Sequence, residues 1–293
     1  MFKNLLLFVL SLSAGFAWAD PVAAARLQAK HAALEAQLQQ NQFNRPLVLT
    51  SVETSQRVSG EIYAVINHPF SAVSAGLNTP DRWCDLMSLP MNTKYCRAET
   101  ASGGTVLKVN IGKKATQRLE DAPRIEFKYT LAQVTANYLD VQLNALTGPM
   151  GTSDYKISFE AIPLGSTEVG AKTFIHMSYS YSVNLVARLA MQTYLATLGR
   201  NKVGFTRVGQ QSNGAPVYID GVRGVVERNT MRYYLAIDSY LDAAPLPPQA
   251  ALEKRLQTWF SASELYPQQL HELERSEYVA MKREEYARQQ MSN

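Results

Sequence analysis

The chain has 293 residues, of which 46% are hydrophobic and 18% are charged, with 29 Lys and Arg residues against 25 Asp and Glu residues. This hydrophobic content, with a net charge of only +4, excludes a disordered chain, which has few apolar residues and a high net charge. The same small charge supplies too few cations for a phosphate-binding surface, so no nucleic-acid partner is expected. Two cysteines exclude a disulfide-rich miniprotein and a cysteine-rich zinc fold. The length allows one large domain or two small ones.

Residues 1–19 have the layout of a secretory signal peptide. Lys3 provides the positive start, residues 5–12 form an apolar run, and Ala17-Trp18-Ala19 offers a cleavage site before Asp20. The apolar run is short for a membrane span, although an uncleaved N-terminal anchor is the alternative. We therefore expect a periplasmic or secreted protein, cleaved between Ala19 and Asp20.

Export would place Cys84 and Cys96 in an oxidising compartment, where two cysteines twelve positions apart are expected to pair. Pro90 between them favours a closed loop over a metal site. A disulfide closing a loop of this size stabilises a fold by roughly 3 kcal/mol if the chain-entropy account applies. The alternative is a pair of buried free thiols.

Residues 20–54 are expected to hold an N-terminal helix and a connector. A solvent-facing helix is predicted over 20–42 from leucines near helical spacing, namely Leu27, Leu34 and Leu38. Residues 43–57 are expected to form a connector or an extended arm. Val58 to Ile66 is predicted to be the first strand, and Pro69 is suited to the first turn of a short helix after it.

Five consecutive segments in the middle of the chain alternate apolar and polar residues with a period of two. This pattern predicts an antiparallel sheet with one buried face and one solvated face. The buried face must be covered by another layer. The alternating apolar residues begin and end at Leu107 and Ile111, Ile125 and Leu131, Leu139 and Ala145, Tyr155 and Ala161, and Ile175 and Val183.

Two helices that could cover the sheet follow it. Asn184 is placed to cap the first helix, which is predicted over 184–198. The second is predicted from Gly224 to Ala243, after two short strands around a turn. Pro245, Pro247 and Pro248 then mark a boundary, so residues 244–293 are expected to form a helical C-terminal extension.

Three segments resemble parts of the START-like (SRPBCC) superfamily. Residues 60–70, Gly-Glu-Ile-Tyr-Ala-Val-Ile-Asn-His-Pro-Phe, resemble its opening strand and first helix. Trp83-Cys84-Asp85 is similar to the tryptophan-containing turn that often follows, and residues 221–229 are similar to the start of its closing helix. The resemblance covers residues 55–243, where we expect one START-like domain.

That superfamily has the helix-grip fold, in which a curved antiparallel sheet wraps a long C-terminal helix and leaves an apolar cavity between them. The resemblance therefore implies an α+β fold, here with helical N- and C-terminal extensions. The chain departs from the pattern by placing residues 184–198 and a hairpin before the closing helix. Either helix could therefore grip the sheet.

The resemblance also implies a binding protein that encloses a lipid or another hydrophobic small molecule. Pockets of this kind are mostly apolar with a few polar groups, tyrosine combines both properties, and an arginine could hold a headgroup. The candidate cavity residues are Phe127, Tyr129, Val141, Leu143, Ile157, Phe159, Met177, Tyr179, Tyr181, Arg188, Tyr194, Arg232 and Tyr233, with Arg228 as a further candidate for the headgroup.

Motifs for chemistry are not found. The four histidines form no metal-binding pair, and His176 on the polar face of its strand is expected to be exposed. No nucleophile elbow and no phosphate-binding loop occur. We therefore expect no catalytic residue, no metal and no cofactor, and a hydrolase or cyclase is the weakest interpretation.

The alternative function is an envelope interaction protein whose helical tail, residues 249–293, docks a protein partner. The simpler expectation for such a charged tail is a surface helix packed on its own domain. An apolar-ligand carrier is also compatible with transient membrane contact.

Overall fold

The computed structural model describes residues 21–165, 171–197 and 203–291. Its helices are α1 (Pro21–Gln39), α2 (Phe70–Leu77), α3 (Pro80–Met87), α4 (Leu185–Thr197), α5 (Gly221–Ala243), α6 (Pro248–Ser263), α7 (Pro267–Leu270) and α8 (Arg275–Met291). Its strands are β1 (Leu47–Glu53), β2 (Arg57–Ile66), β3 (Thr93–Ala101), β4 (Gly104–Ile111), β5 (Arg124–Val134), β6 (Leu139–Thr147), β7 (Ser153–Leu164), β8 (Lys172–Ser182), β9 (Arg207–Gln210) and β10 (Pro216–Tyr218).

Eight of the strands form one curved antiparallel sheet in the order β1-β2-β8-β7-β6-β5-β4-β3. The five predicted strands correspond to β4 through β8 and are confirmed. The segment expected to be a connector is in part a strand, because β1 pairs with β2 along its whole length, from Leu47 opposite Ala64 to Glu53 opposite Val58. Strands β9 and β10 pair only with each other.

Helix α5 covers the apolar face of the sheet, so it is the gripping helix and α4 is not. The helix contacts β2, β1 and β8 directly. The helix and β2 approach closely at Gly60, where a Cβ atom would overlap the hydroxyl group of Thr230. That hydroxyl donates to the carbonyl oxygen of Val226 at 2.7 Å. Helix α4 instead packs on α5 and on the short turn Pro149–Gly151, and its first turn is capped by the Asn184 side chain, which accepts from Ala187 N–H at 2.8 Å.

Helix α1 packs on the opposite face of the sheet, so the expectation that it faces solvent is wrong. Its leucines are buried against apolar residues of the outer face. These residues are apolar, although the outer face of the sheet is otherwise polar. Their burial under α1 removes apolar surface from water. The contacting residues are Leu27, Leu34 and Leu38 on the helix and Val48, Tyr138, Ile162 and Phe174 on the sheet side.

The C-terminal extension packs on the same domain. Trp259 is fully buried, and its indole N–H donates to the Arg232 carbonyl oxygen at 3.2 Å. The Tyr278 hydroxyl donates to the Leu89 carbonyl oxygen at 2.9 Å. The extension thus packs as the simpler expectation had it, and these apolar residues, which the alternative function assigns to a partner, face the chain's own core.

A buried charged cluster fixes α8 to β3. Glu285 accepts from Lys94 Nζ at 2.9 Å and from Lys282 Nζ at 2.8 Å, one lysine on each carboxylate oxygen. Burial lowers the pKa of Lys282 to about 8, because water is excluded from its ammonium group. Two cations thus share one carboxylate at this contact between the extension and the sheet.

The disulfide between Cys84 and Cys96 is present and joins α3 to β3. Along the described segments, no helix is long and apolar enough to cross a membrane. The proposed signal peptide lies outside the described residues.

The fold is the helix-grip fold, as the sequence resemblance implied. A strand and two short helices (β2, α2, α3) precede six antiparallel strands, and α5 closes the concave face. The fold class is therefore confirmed, with α1 and α6–α8 as helical extensions. The exact domain boundaries stay predictions.

The Gly60 contact generates a stability test. Gly60→Ala should lower the free energy of unfolding by about 1–3 kcal/mol, because the added methyl group overlaps the Thr230 hydroxyl between two packed elements. Gly103→Ala is the matched control, since no atom lies within 4 Å of its added Cβ. Urea unfolding of both variants measures the difference. Equal stability of the two variants would contradict this account of the helix–sheet contact.

Candidate functional site

A cavity of about 140 Å³ lies between the concave face of the sheet and helices α4 and α5. The sheet contributes one wall, and Val225, Asn229 and Tyr233 of α5 contribute another at one residue per helical turn. The remaining lining residues are Asn92, Ile111, Ile125, Phe127, Pro149, Met150, Thr152, Tyr155, Tyr179, Tyr181 and Met191. The site is thus an apolar cavity with a small set of polar groups.

Four tyrosines form an aromatic cluster in this cavity. The rings of Tyr155 and Tyr181 stack with centroids 5.1 Å apart. Tyr179 lies 5.7 Å from Tyr181 and 5.6 Å from Tyr233 between ring centroids. Phe127 meets Tyr155 edge to face at 6.3 Å. Their rings give the cavity flat aromatic walls, while their hydroxyl groups supply polarity.

The hydroxyl groups of these tyrosines differ in their partners. Tyr155 shares a hydrogen bond of 2.7 Å with the Thr152 hydroxyl. Tyr179 lines the cavity together with Asn229 of α5. The Tyr181 hydroxyl is buried and has no hydrogen-bond partner among the described residues. Because this oxygen has almost no accessible surface, the ring of Tyr181 and not its hydroxyl group borders the cavity.

Burial holds these phenols in the neutral form. It raises the pKa of Tyr179 well above its ordinary value, and it raises the pKa values of Tyr181 and Tyr233 as well. The cause is the loss of solvation for a phenolate. At physiological pH all three hydroxyl groups can therefore donate a proton to a hydrogen bond.

One side of the cavity lies at the protein surface. Met150, in the turn before β7, is 43% exposed and adopts a positive φ of 57°. Met191 of α4 lies beside it in the lining. Two flexible methionine side chains at the mouth can change shape at low cost.

The predicted site residues divide into several groups. Phe127, Tyr179, Tyr181 and Tyr233 line the cavity. Tyr129 is partly buried at the edge of the core, and burial raises its pKa to about 12. The aliphatic and sulfur-containing candidates, together with one phenylalanine, pack in the filled part of the core: Val141, Leu143, Ile157, Phe159 and Met177.

None of the three predicted arginines, Arg188, Arg228 and Arg232, is in the cavity lining. Arg188 forms an ion pair with Glu53 on the surface. Arg232 is buried and pairs with Glu272 at 2.9 Å. The side chain of Tyr194 lies outside the described part of the chain. Whether any of the candidate residues binds a ligand stays a prediction.

Sequence reasoning missed several lining residues. Tyr155 occupies the same alternating face as the predicted residues and could have been included from its period alone. Val225 and Asn229 precede Tyr233 at successive i+4 positions, a spacing that could have identified this face of α5. Thr152 and Met191 carried no signal, because a turn and a second helix bring them to the cavity.

A second polar cluster lies beneath α1 on the outer face of the sheet. His176 is largely buried there, so the expectation of an exposed side chain is wrong, because α1 covers this face. Its Nδ1 lies 2.9 Å from Glu160 Oε2 and its Nε2 lies 3.6 Å from Glu61 Oε2. The Tyr63 ring stacks on the imidazole with centroids 4.3 Å apart.

One charged group of α1 also contacts this cluster. Glu160 also accepts from Tyr138 and from Arg26 of α1. Although burial raises the pKa of Glu160, hydrogen bonds from His176 and Tyr138 bring it down to about 2. Burial lowers the pKa of His176, but the hydrogen bond to Glu160 and the nearby Glu61 carboxylate outweigh it and raise that pKa. In the described ranges, no group of His, Cys, Asp and Glu side chains is placed to hold a metal ion.

Comparison with known proteins adds the following. No protein-family model and no curated protein sequence matches the chain. Human StAR-related lipid transfer protein 5 is similar in structure over 77% of this chain and 99% of its own, at 9% identity and a TM-score of 0.38. Truncated norcoclaurine synthase from Thalictrum flavum matches over 50% and 91%, at 14% identity and 0.34. Ara h 8.0201 matches over 64% and 99%, at 12% identity and 0.35.

At identities and TM-scores this low, these similarities carry no argument about function. The fold assignment stands on the strand order and on the position of α5.

The histidine cluster generates a prediction about pH. Because the pKa of His176 is raised in the folded protein, its protonation stabilises the fold. This contribution is complete below pH 6.5, the ordinary pKa, and is lost as the pH rises through the folded-state pKa. Glu160→Gln should lower the pKa of His176. The variant lacks one of the two carboxylates that stabilise the charged imidazole, whereas burial still disfavours that charge. An NMR titration of the imidazole protons measures this. Glu35→Gln, on the exposed side of α1, is the control, and an unchanged pKa in Glu160→Gln would contradict the assignment.

Proposed function

We propose that the protein is an exported, non-enzymatic binding protein for a small, mainly apolar molecule about the size of one aromatic ring. The observation that carries this proposal is the tyrosine-lined cavity of about 140 Å³ between the sheet and the gripping helix. Its walls are aromatic and aliphatic, and its few polar groups are neutral. This is the composition of a small-molecule pocket.

The volume selects the ligand size. A dry apolar cavity of about 150 Å³ accepts benzene, whereas drug-sized ligands occupy about 300–1,000 Å³. The side chains of Leu143, Phe159 and Met177 fill the core beyond the cavity. A ligand with one ring therefore fits this arrangement better than the lipid that the sequence resemblance implied.

Burial of the ligand supplies the affinity. Removal of apolar surface from water is worth about 25 cal/mol per Å², from which the cost of association is subtracted. A single-ring ligand buries little surface, so we expect micromolar to millimolar affinity rather than tight binding. The exposed Met150 marks the entry side.

We also propose a transient contact with a membrane surface. The exposed apolar residues beside the mouth, Leu185, Val186 and Leu189 of α4, are the surface that would make a transient membrane contact. A protein partner for the C-terminal helices is not favoured, because most of their apolar side chains are buried on the chain's own domain.

A ligand-binding experiment tests the proposed function. Ethylbenzene, a single-ring probe, should bind with saturation in ligand-observed NMR and calorimetry of the purified mature protein. Val225→Phe should abolish this binding, because the larger side chain fills the space beside Asn229 and Tyr233. The thermal midpoint of each variant shows whether it is folded. Failure of ethylbenzene to saturate the wild-type protein, or equal binding by a folded Val225→Phe variant, would overturn the proposal.

Export has its own test. The disulfide supports an oxidising compartment, because such bonds persist in exported proteins and are rare in the cytosol. The full chain expressed in a bacterium with a periplasm should be recovered there with Asp20 as its first residue, as read by N-terminal sequencing. Ala17→Arg with Ala19→Arg should block cleavage by removing the small residues of the site. Recovery of uncleaved wild-type chain in the cytoplasm would contradict export.

A further inference from the structure

Strand β1 forms one edge of the sheet, and half of its backbone groups point away from β2. In an antiparallel pair, every second residue exchanges hydrogen bonds with the partner strand, and the residues between direct their N–H and C=O groups to the other side. Two bonds at the ends of β1 set this alternation: Val65 N–H donates to the Pro46 carbonyl oxygen at 2.9 Å, and Thr54 N–H donates to the Arg57 carbonyl oxygen at 2.8 Å. The outward-directed residues of β1 are Leu47, Leu49, Ser51 and Glu53.

These outward groups are open over the second part of the strand. Leu47 is fully buried, whereas Leu49 and Ser51 are partly exposed and Glu53 is exposed. Val52, between the last two, is 59% exposed. Among the described residues, none forms a hydrogen bond with the backbone N–H or C=O groups of Leu49, Ser51 and Glu53. At about 3.4 Å per residue, this open edge is about 14 Å long.

A groove of about 380 Å³ lies beside the start of this open edge. Its lining comes from the end of α1 and the residues after it, from residues 47–49 of β1, and from Thr206 and Arg207 where β9 begins. A chain laid along β1 therefore runs between two walls where it passes Leu49. A second copy of this protein, pairing through its own β1, would bring a second pair of such walls to the same place. The groove consequently fits a single extended chain better than another sheet.

The groove carries a positive charge. Arg207 is the one charged residue in the described lining, and its side chain is exposed. Within the described ranges it forms no ion pair, whereas Glu53, at the far end of the open edge, is paired with Arg188 of α4. An acidic side chain on an added chain would therefore meet a cation that has no carboxylate of its own. Exposed ion pairs contribute little affinity, so Arg207 sets a preference between partners rather than the strength of binding.

We propose that β1 docks an extended acidic segment of another protein, which adds to the sheet as a further strand and places a carboxylate against Arg207. Main-chain hydrogen bonds to an exposed sheet edge give such complexes their affinity, and side-chain contacts give them their specificity. Leu49, Ser51 and Glu53 supply the main-chain bonds. The tyrosine-lined cavity lies against other strands, so this inference does not depend on the proposed ligand.

Hydrogen exchange of the protein alone tests whether the edge is open. The amide protons of Leu49 and Ser51 should be about tenfold less protected from exchange than those of Thr50 and Val52, which donate to β2. Two-dimensional NMR of the purified mature protein measures each rate. Strong protection of Leu49 and Ser51 in dilute protein would show that the edge is already covered and would overturn the proposal.

Two synthetic peptides test the docking. Acetyl-Thr-Val-Glu-Val-Thr-amide has the alternation of a strand and one carboxylate, and the second peptide has lysine in place of glutamate. At low ionic strength the glutamate peptide should bind about threefold to tenfold more tightly, because Arg207 attracts one side chain and repels the other. Its binding should shift the NMR signals of β1 and protect the amide protons of Leu49 and Ser51. The same peptide with every amide N-methylated has no backbone donor and should not bind.

Two pairs of variants separate the backbone contact from the charge. Leu49→Pro removes an outward N–H group, at a position where an edge strand tolerates proline, and should weaken the glutamate peptide about twofold to tenfold. Leu49→Ala is its matched control, since it shortens the same side chain and keeps the N–H group. Arg207→Glu should reverse the preference, so that the lysine peptide binds about threefold to tenfold more tightly. Lys128→Glu, at an exposed position of β5, should leave the preference unchanged.

The thermal midpoint shows which variants are folded. Absence of binding by the glutamate peptide, equal binding of its N-methylated form, or a preference that survives Arg207→Glu would overturn the proposal. If the wild-type protein instead dimerises in ultracentrifugation, with Leu49 and Ser51 protected as its concentration rises, a second copy occupies the edge and the proposal is wrong. If Leu49→Pro does not fold, Arg207→Glu and the N-methylated peptide still decide the question.

Discussion

The close packing of helix α5 on β2 requires a glycine at residue 60, because a Cβ atom there would overlap the Thr230 hydroxyl group. The helix is buried on two sides, by the sheet and by α6, so it cannot rely on solvent to satisfy its polar groups. Glu227, near the start of α5, is an example of a polar group that the protein itself satisfies. Its carboxylate is fully buried and accepts from the N–H groups of Phe205 and Thr206 and from the Thr206 hydroxyl. The segment before β9 is thereby tied to the same helix that closes the sheet.

Helix α5 packs against one part of the concave face and borders a cavity at another part. Thr230 touches β2 at Gly60, whereas Val225, Asn229 and Tyr233 border the cavity, where the Tyr233 ring meets Tyr179 of β8. A helix pressed against one edge of a curved sheet leaves its gap toward the other strands. The cavity is consequently rich in residues of β5, β7 and β8.

Much of the fold could be predicted because β4 to β8 alternate strictly, and their buried residues are the ones that the period selects. The edge strands β1 and β3 were missed, since their exposed positions break the alternation. The apolar residues of α4 and α5 have similar helical spacing. What distinguishes the two helices is that α5 contacts β2 at Gly60. For the site, the two-residue period shows on which face of the sheet a side chain lies, but not whether it packs in the filled core or borders the cavity. Phe159 and Tyr181 therefore look alike in sequence, although one fills the core and the other borders the cavity.

The docking of α8 on β3 also has a consequence for association between molecules. An edge strand presents free backbone groups that can pair with a strand of another chain. Here the Lys282 ammonium group donates to the Thr93 carbonyl oxygen at 2.7 Å, and the Gln289 side chain accepts from Cys96 N–H at 3.2 Å. Side chains of a helix thus occupy the positions that an added strand would take. If α8 were removed, this half of β3 could pair with a strand of another molecule. The extension therefore protects the sheet edge from aggregation through intermolecular β-sheet.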